Sequence, residues 1–379
     1  MLSLARTNTS FIGQWWWTVD RWTLAALMLL ILLGIFLIMA ASPVVADQHH
    51  WNSFHFIKKH LIFLIPTFGI LIGISFLSLQ DIKRVAFATF IVSMIGLVLT
   101  SFMGVEIKGA CRWLEIGGIS IQPSEFVKPA FAIVCAWMFS KQQTQPHFPG
   151  NWVSIGIYLL VVMFLLLQPD LGMAVLITIM WFSQFFLAGL PLVWIFSAVG
   201  SGIGGLFAAY FLFPHVSRRV DHFLNPEVGD KFGDRYQITQ SLEAFMNGGF
   251  IGQGPGEGTV KKYLPDAHAD FIFAVAGEEF GMILCVFLVC IFAFIVLRSF
   301  VRLFDENNMF VLFAVTGLMV QFGLQAVINM ASTLNLMPTK GMTLPFISYG
   351  GSSMMALALG MGMVLGLTRR RIGAYERTY

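Results

Sequence analysis

Charge is what this sequence has least of. Lys, Arg, Asp and Glu make up 11% of its 379 residues, whereas soluble domains carry about 25%. So few charges cannot cover a surface in water, which excludes a soluble globular protein. They also exclude a disordered chain, which needs low hydrophobicity and high charge. The formal net charge of +3 is too small to mark nucleic acid as a partner. Cysteine is scarce too. Cys135, Cys285 and Cys290 lie in apolar runs and Cys111 stands alone, so there is neither a disulfide framework nor a metal-ligand spacing. His49, His50, His55 and His60 gather around one loop at spacings that match no zinc motif. No cleavable signal is expected at the N-terminus, because the first apolar run is too long and lacks a cleavage site.

What remains is apolar. Hydrophobic residues make up 57% of the chain and mean hydropathy is +0.77, the composition of an integral membrane protein. A helix needs roughly 20 apolar residues to cross about 30 Å of hydrocarbon. Ten such runs are read at 22–45, 61–79, 85–103, 126–140, 153–167, 171–187, 192–213, 271–296, 309–330 and 346–367. The predicted fold class is an all-α polytopic membrane protein of ten transmembrane helices, forming a single domain over 1–379. Lys and Arg near the span ends favour both termini on the cytoplasmic side. Arg21, Lys83, Arg84, Lys141, Arg298, Arg302 and the C-terminal arginines then lie inside and outnumber Lys58, Lys59, Lys108, Arg112 and Lys340 outside. Trp15, Trp16 and Trp17 read as an interfacial anchor. A long outer loop, about 214–269, separates the seventh and eighth spans. It holds a glycine-rich run and an amphipathic segment at 237–247, which suggests a folded element at the interface. The eighth span begins among polar residues, so its first turns are expected to line a cavity rather than lipid.

In a chain with so few charges, ionisable groups at membrane depth carry most of the functional signal. Three clusters fall on the outer side. In KGACRWLEIGGISIQPSEFVKP, Glu125 and Lys128 are three apart on one helical face and can pair, while Arg112 is either a headgroup contact or a phosphate ligand. In KKYLPDAHADFIFAVAGEEFG, Asp270 stands where polar loop turns into apolar span. A carboxylate at such a boundary is suited to general-base work, and the competing reading is a helix cap. Asp266 and His268 are candidate partners of Asp270. In MPTKGMTLPFISYGGSS, Pro and Gly break the helix before the last span, and Lys340 is the only charge there. QPDLG at 168–172 and RRVDHFLNP at 218–226 add two more polar breaks on the same face.

These runs, together with YQITQSLEAFMNGG and GPGEGTVKKYLPDAHADF, resemble the SEDS family of bacterial cell-wall synthesis. The likeness extends from first span to last in the same order, and it is closer to the division branch than to the elongation branch. It implies a ten-helix glycosyltransferase of the inner membrane, placed at the division septum. Such an enzyme polymerises lipid II, the undecaprenyl-diphosphate-linked disaccharide-pentapeptide, into a nascent glycan strand at the periplasmic face. Asp270 takes the place of the family's essential aspartate, Glu125 and Lys128 that of its ExxK pair, Lys340 that of its MPTKG lysine and Arg112 that of its KGxxRW arginine. His268 joins Arg112, Glu125, Lys128 and Lys340 as a candidate substrate contact. Cys111 and Asp266 depart from the family's usual residues without touching this chemistry. No cofactor is certain; a divalent cation, Mg or Mn, near Glu125 and Asp270 is the candidate. The implied partners are a class B penicillin-binding protein with transpeptidase activity, other divisome proteins and membrane lipid. Two rivals remain from the residues alone. A lipid II flippase would spread polar groups along a transport path, yet the inner half is nearly uncharged. A scaffold that only activates a transpeptidase would leave Glu125, Asp270 and Lys340 without a role.

Overall fold

The computed structural model describes residues 10–48, 51–52, 54–107, 110–189, 192–212, 217, 220–221, 234–338 and 341–369. Lys340 and nearly all of the RRVDHFLNP run lie outside the described residues. Twelve α-helices are described: α1 Phe11–Thr18, α2 Arg21–Gln48, α3 His55–Ser75, α4 Leu79–Met103, α5 Pro123–Thr144, α6 Gly150–Leu167, α7 Leu171–Leu187, α8 Leu192–Leu212, α9 Asp234–Gly248, α10 Ile272–Leu303, α11 Met309–Thr333 and α12 Gly351–Leu367. Each apolar run of the sequence falls on one of α2–α8 or α10–α12. Six of these helices (α2, α3, α4, α6, α10 and α11) are long and apolar enough to cross a membrane. Helices α7 and α12, 17 residues each, are apolar but shorter. The amphipathic segment of the long loop is α9.

The bundle packs on small residues. Where α12 crosses α3, a β-carbon at Gly362 would stand 2.9 Å from the Leu71 carbonyl oxygen. Without an aqueous phase to drive helices together, close backbone approach supplies the van der Waals contact that holds them. Helix α12 starts later than its apolar run, at Gly351 rather than at 346. Residues 344–350 form a turn before it, in which the Ser348 hydroxyl accepts from Leu344 N at 2.7 Å.

One departure from an all-α fold is a three-stranded antiparallel sheet, β1 Val105–Ile107, β2 Ala110–Ile116 and β3 Ile119–Ile121, ordered β1-β2-β3. Its second hairpin closes through Gly117 and Gly118, with Ile116 paired to Ile119. Both glycines have positive φ, 60° and 79°, as a two-residue hairpin turn compatible with strand twist requires. The sheet leads into α5, whose first residue is Pro123, a proline placed where its missing N–H costs nothing.

Helix α10 is two helices in line. Gly281 has φ 74° and ψ −173°, a conformation outside the helical range. The glycine-rich loop supplies the hydrogen bonds the break removes. Met282 N and Ile283 N donate to the Gly249 and Phe250 carbonyls, while Gln253 N and Gly254 N donate to the Glu278 and Glu279 carbonyls. Residues 272–279 before the break are all buried in protein, in line with first turns that avoid lipid.

At the far end of α10, Asp20 sits in the α1–α2 turn and is nearly inaccessible. Arg298 donates to it from Nε at 2.8 Å and from Nη2 at 2.9 Å, Arg302 approaches at 3.0 Å and the Thr23 hydroxyl donates at 2.8 Å. The tryptophans beside it are not all at an interface. Trp15 is buried and its indole donates to the Ser75 hydroxyl at 2.9 Å, so it ties α1 to the end of α3.

Candidate active site

Helix α11 organises the polar end of the bundle. Gln321, Gln325 and Asn329 recur every four residues along a largely apolar helix, so they lie along one face, and all three are buried. Gln325 Oε1 accepts from Lys128 Nζ at 3.0 Å, and its amide nitrogen donates to the Thr343 carbonyl at 3.1 Å. One turn on, about 6 Å along the axis, the Asn329 amide donates to the Asp270 carbonyl at 2.9 Å and to the Met342 carbonyl at 2.6 Å. These two side chains join α5, the Asp270 segment and the segment after Lys340.

Lys128 and Glu125 pair as their spacing predicts, at 2.8 Å, with both side chains buried. Together they add no net charge to the interior. Each is needed by the other, because a buried charge left alone is far costlier than the pair.

Asp270 precedes α10. The helix is capped at Phe271 without a side-chain hydrogen bond and has no acidic residue in its first turn. Asp270 is half-buried, and its backbone is held at three successive carbonyls. Tyr349 N donates to His268 O at 2.9 Å, the Ser348 hydroxyl to Ala269 O at 2.6 Å and Asn329 to Asp270 O. The carboxylate faces the turn after Lys340: a β-carbon at Gly341 would stand 3.4 Å from Asp270 Oδ2. Lys340 itself, expected near a substrate anion, is outside the described residues.

Arg112, on β2, reaches the turn between α6 and α7. Its Nε donates to the Gln168 carbonyl at 3.1 Å and its Nη2 to the Pro169 carbonyl at 2.6 Å, with Asp170 3.6 Å from Nη1. It therefore straps the sheet to QPDLG, and its contacts with the described residues leave further N–H donors of the guanidinium. Asp170 was legible only as a polar break. It caps α7 through Met173 N at 3.3 Å and is buried. Burial pushes its carboxyl above the ordinary range. Arg112, the Met173 N–H and Lys128 pull it back, and Glu125 adds to the rise.

His268 packs its ring between Phe56, with centroids 4.3 Å apart, and Tyr349, at 5.2 Å. It is buried and meets protein on those sides, so it props the segment that carries Asp270. A sequence reading aimed at charges passed over Gln325, Asn329 and Ser348; the four-residue spacing of Gln and Asn in an apolar run was the available signal. A divalent cation near Glu125 and Asp270 would take most of its ligands from substrate phosphates and water. Among the described residues no three His, Cys, Asp or Glu groups gather as metal ligands, and Glu125 is already neutralised by Lys128.

Fold and site define a multi-pass helical membrane protein with an ionisable site gathered at one end of its bundle. A family model described as cell cycle protein, covering FtsW, RodA and SpoVE, matches residues 20–372, and the chain belongs to that family. It is 44% identical over 374 residues to the probable peptidoglycan glycosyltransferase FtsW of Caulobacter vibrioides, covering 98% of this chain and 95% of that one. It is 37% identical over 344 residues to the corresponding protein of Trichlorobacter lovleyi, covering 88% and 89%. Among solved structures, a chain of a peptidoglycan synthase complex aligns with TM-score 0.75 and 26% identity over 92% of this chain and 97% of that one. The rod shape determining protein RodA of Thermus thermophilus shares the fold, with TM-score 0.65 and 24% identity over 93% and 97%.

Proposed function

We infer that the protein is a peptidoglycan glycosyltransferase of cell division, which polymerises lipid II at the outer face of the cytoplasmic membrane. The names of its relatives support the reaction class. The observation that carries the residue assignment is the half-buried carboxylate of Asp270 on a backbone fixed at three successive carbonyls. A general base must be held within hydrogen-bond reach of the proton it takes, and a backbone fixed in this way supports that role for Asp270.

In this reading Asp270 accepts the proton of the acceptor sugar hydroxyl as its oxygen attacks the anomeric carbon of the donor. The bond from that carbon to the diphosphate oxygen breaks, and undecaprenyl diphosphate leaves with the electron pair. Inversion follows from direct displacement. A diphosphate leaves as an anion, so it needs positive charge rather than the carboxylic acid a glycosidase uses. Lys340 and the remaining donors of Arg112 supply that charge. Lys128, through Gln325, fixes Thr343 close to Lys340 in the chain, and His268 supports the Asp270 segment. No step is routed through a cation. The ten runs make ten spans with both termini inside, and the 214–269 loop faces the periplasm at the septum. A chain of a peptidoglycan synthase complex among the structural relatives supports a transpeptidase partner of the class B penicillin-binding type.

The direct test is reconstitution of the purified protein with lipid II, with and without that partner. Glycan strands are the expected product. Lipid II that crosses the bilayer without polymerising would favour the transporter reading instead.

A further inference from the structure

Three buried charges lie in the loop and helix that flank Asp270. Glu278, fully buried, accepts from Val260 N at 2.7 Å, Lys261 N at 2.9 Å and the Asn247 amide at 3.0 Å. Its neighbour Glu279 pairs with Lys261 Nζ. The same ammonium donates to the Ala40 carbonyl of α2 at 3.1 Å and to the Gly256 carbonyl at 3.2 Å. Lys261 and Glu279 are 2% and 1% exposed, so neither serves as a solvated surface charge.

The topology gives these contacts a consequence. Lys261 precedes Asp270 by nine residues and Glu279 follows it by nine. The two carboxylates, adjacent on α10, therefore grip the start of the segment whose end becomes α10 itself. The segment is closed into a ring with Asp270 at its midpoint. The Ala40 bond fixes that ring to α2, and the loop strand at 249–254 fixes the far side of Glu278 and Glu279 across the Gly281 break.

We propose that Lys261, Glu278 and Glu279 are positioning residues for Asp270, setting where its carboxylate stands without touching substrate. This rests on the reading of Asp270 as the base. A displacement of about 1 Å at a reacting group costs on the order of 100-fold in rate. A slackened ring should therefore lower turnover while leaving the sugar and diphosphate contacts in place.

The test uses the full-length protein with its transpeptidase and lipid II, measuring kcat, KM and thermal midpoint. Lys261→Met/Glu279→Gln removes both members of that ion pair together, so neither is left buried without its partner. Gly258→Ala is the second variant, because its new β-carbon would stand 2.9 Å from the Glu278 carboxylate and loosen the grip from the loop side. In whichever variant folds, kcat is expected to fall roughly 10- to 100-fold with KM within about threefold. A merely structural role would instead reduce the folded fraction and leave kcat per folded molecule at the parental value. That result, or a rise in KM alone, overturns the inference. Asp270→Asn run alongside separates the two readings. If it is inactive while both clamp variants turn over normally, only the clamp fails. If Asp270→Asn itself turns over normally, the base assignment fails and the clamp with it.

Discussion

At the scale of single residues, spacing in the sequence is informative where both partners lie on one element. Glu125 and Lys128 are three apart on α5 and do pair. Asp170 and Arg112 are 58 residues apart, on opposite sides of two helices, and no local pattern links them. Asn329 and Gln325 were passed over for a different reason: uncharged amides look incidental until the carbonyls they serve are in place. The Glu125–Lys128 pair makes a clear prediction. Lys128→Met leaves a carboxylate buried with no counter-charge and is expected to cost about 3–5 kcal/mol of stability. Glu125→Gln/Lys128→Met should regain most of that loss, since no charge then remains to be desolvated. Thermal unfolding in detergent measures both, and a double variant no more stable than Lys128→Met would contradict the pairing.

At the scale of elements, the apolar runs were legible because a hydrocarbon solvent demands long uncharged helices. The sheet was not, since its strands are three to seven residues long and their pattern is interrupted by charge. The EIGGISI run did hold a hairpin signal, two glycines between apolar residues. The break in α10 was hidden more deeply. Gly281 is one glycine in a helical pattern, and its conformation is explained only by the loop strand that fills the gap. Gly281→Ala would place a β-carbon 2.3 Å from the Phe250 carbonyl oxygen and force a side chain onto φ 74°. Strain of that kind costs about 1–3 kcal/mol before the clash is counted. The expected outcome is a lowered thermal midpoint together with faster proteolysis between residues 249 and 258. Unchanged resistance in the loop would mean that the strand does not depend on the break.

At the scale of the whole molecule, the two ends of α10 carry different kinds of charge. Near Asp270 the charges organise a site; near Asp20 they fasten helices. Burial alone would raise the Asp20 carboxyl. The hydrogen bonds from Arg298 and Thr23, with the charges of Arg302 and Arg298, outweigh burial and hold it below the ordinary value. A depressed folded-state value means that the stabilisation is fully present above the unfolded pKa of about 3.9 and is lost as pH falls through the folded value. Asp20→Asn should therefore lower the thermal midpoint at pH 7, and the gap from the parent should close in acid. A gap that stays constant with pH would remove the ion pairs from the account. The central claim lies at the other end. Asp270→Asn keeps shape and hydrogen-bonding capacity but cannot accept a proton, and general-base catalysis contributes typically 100- to 10,000-fold. The decisive measurement is turnover of lipid II by folded, partner-bound Asp270→Asn. A loss of turnover within that range, with partner binding intact, is the result expected, and near-parental turnover would contradict the assignment of Asp270 as the base.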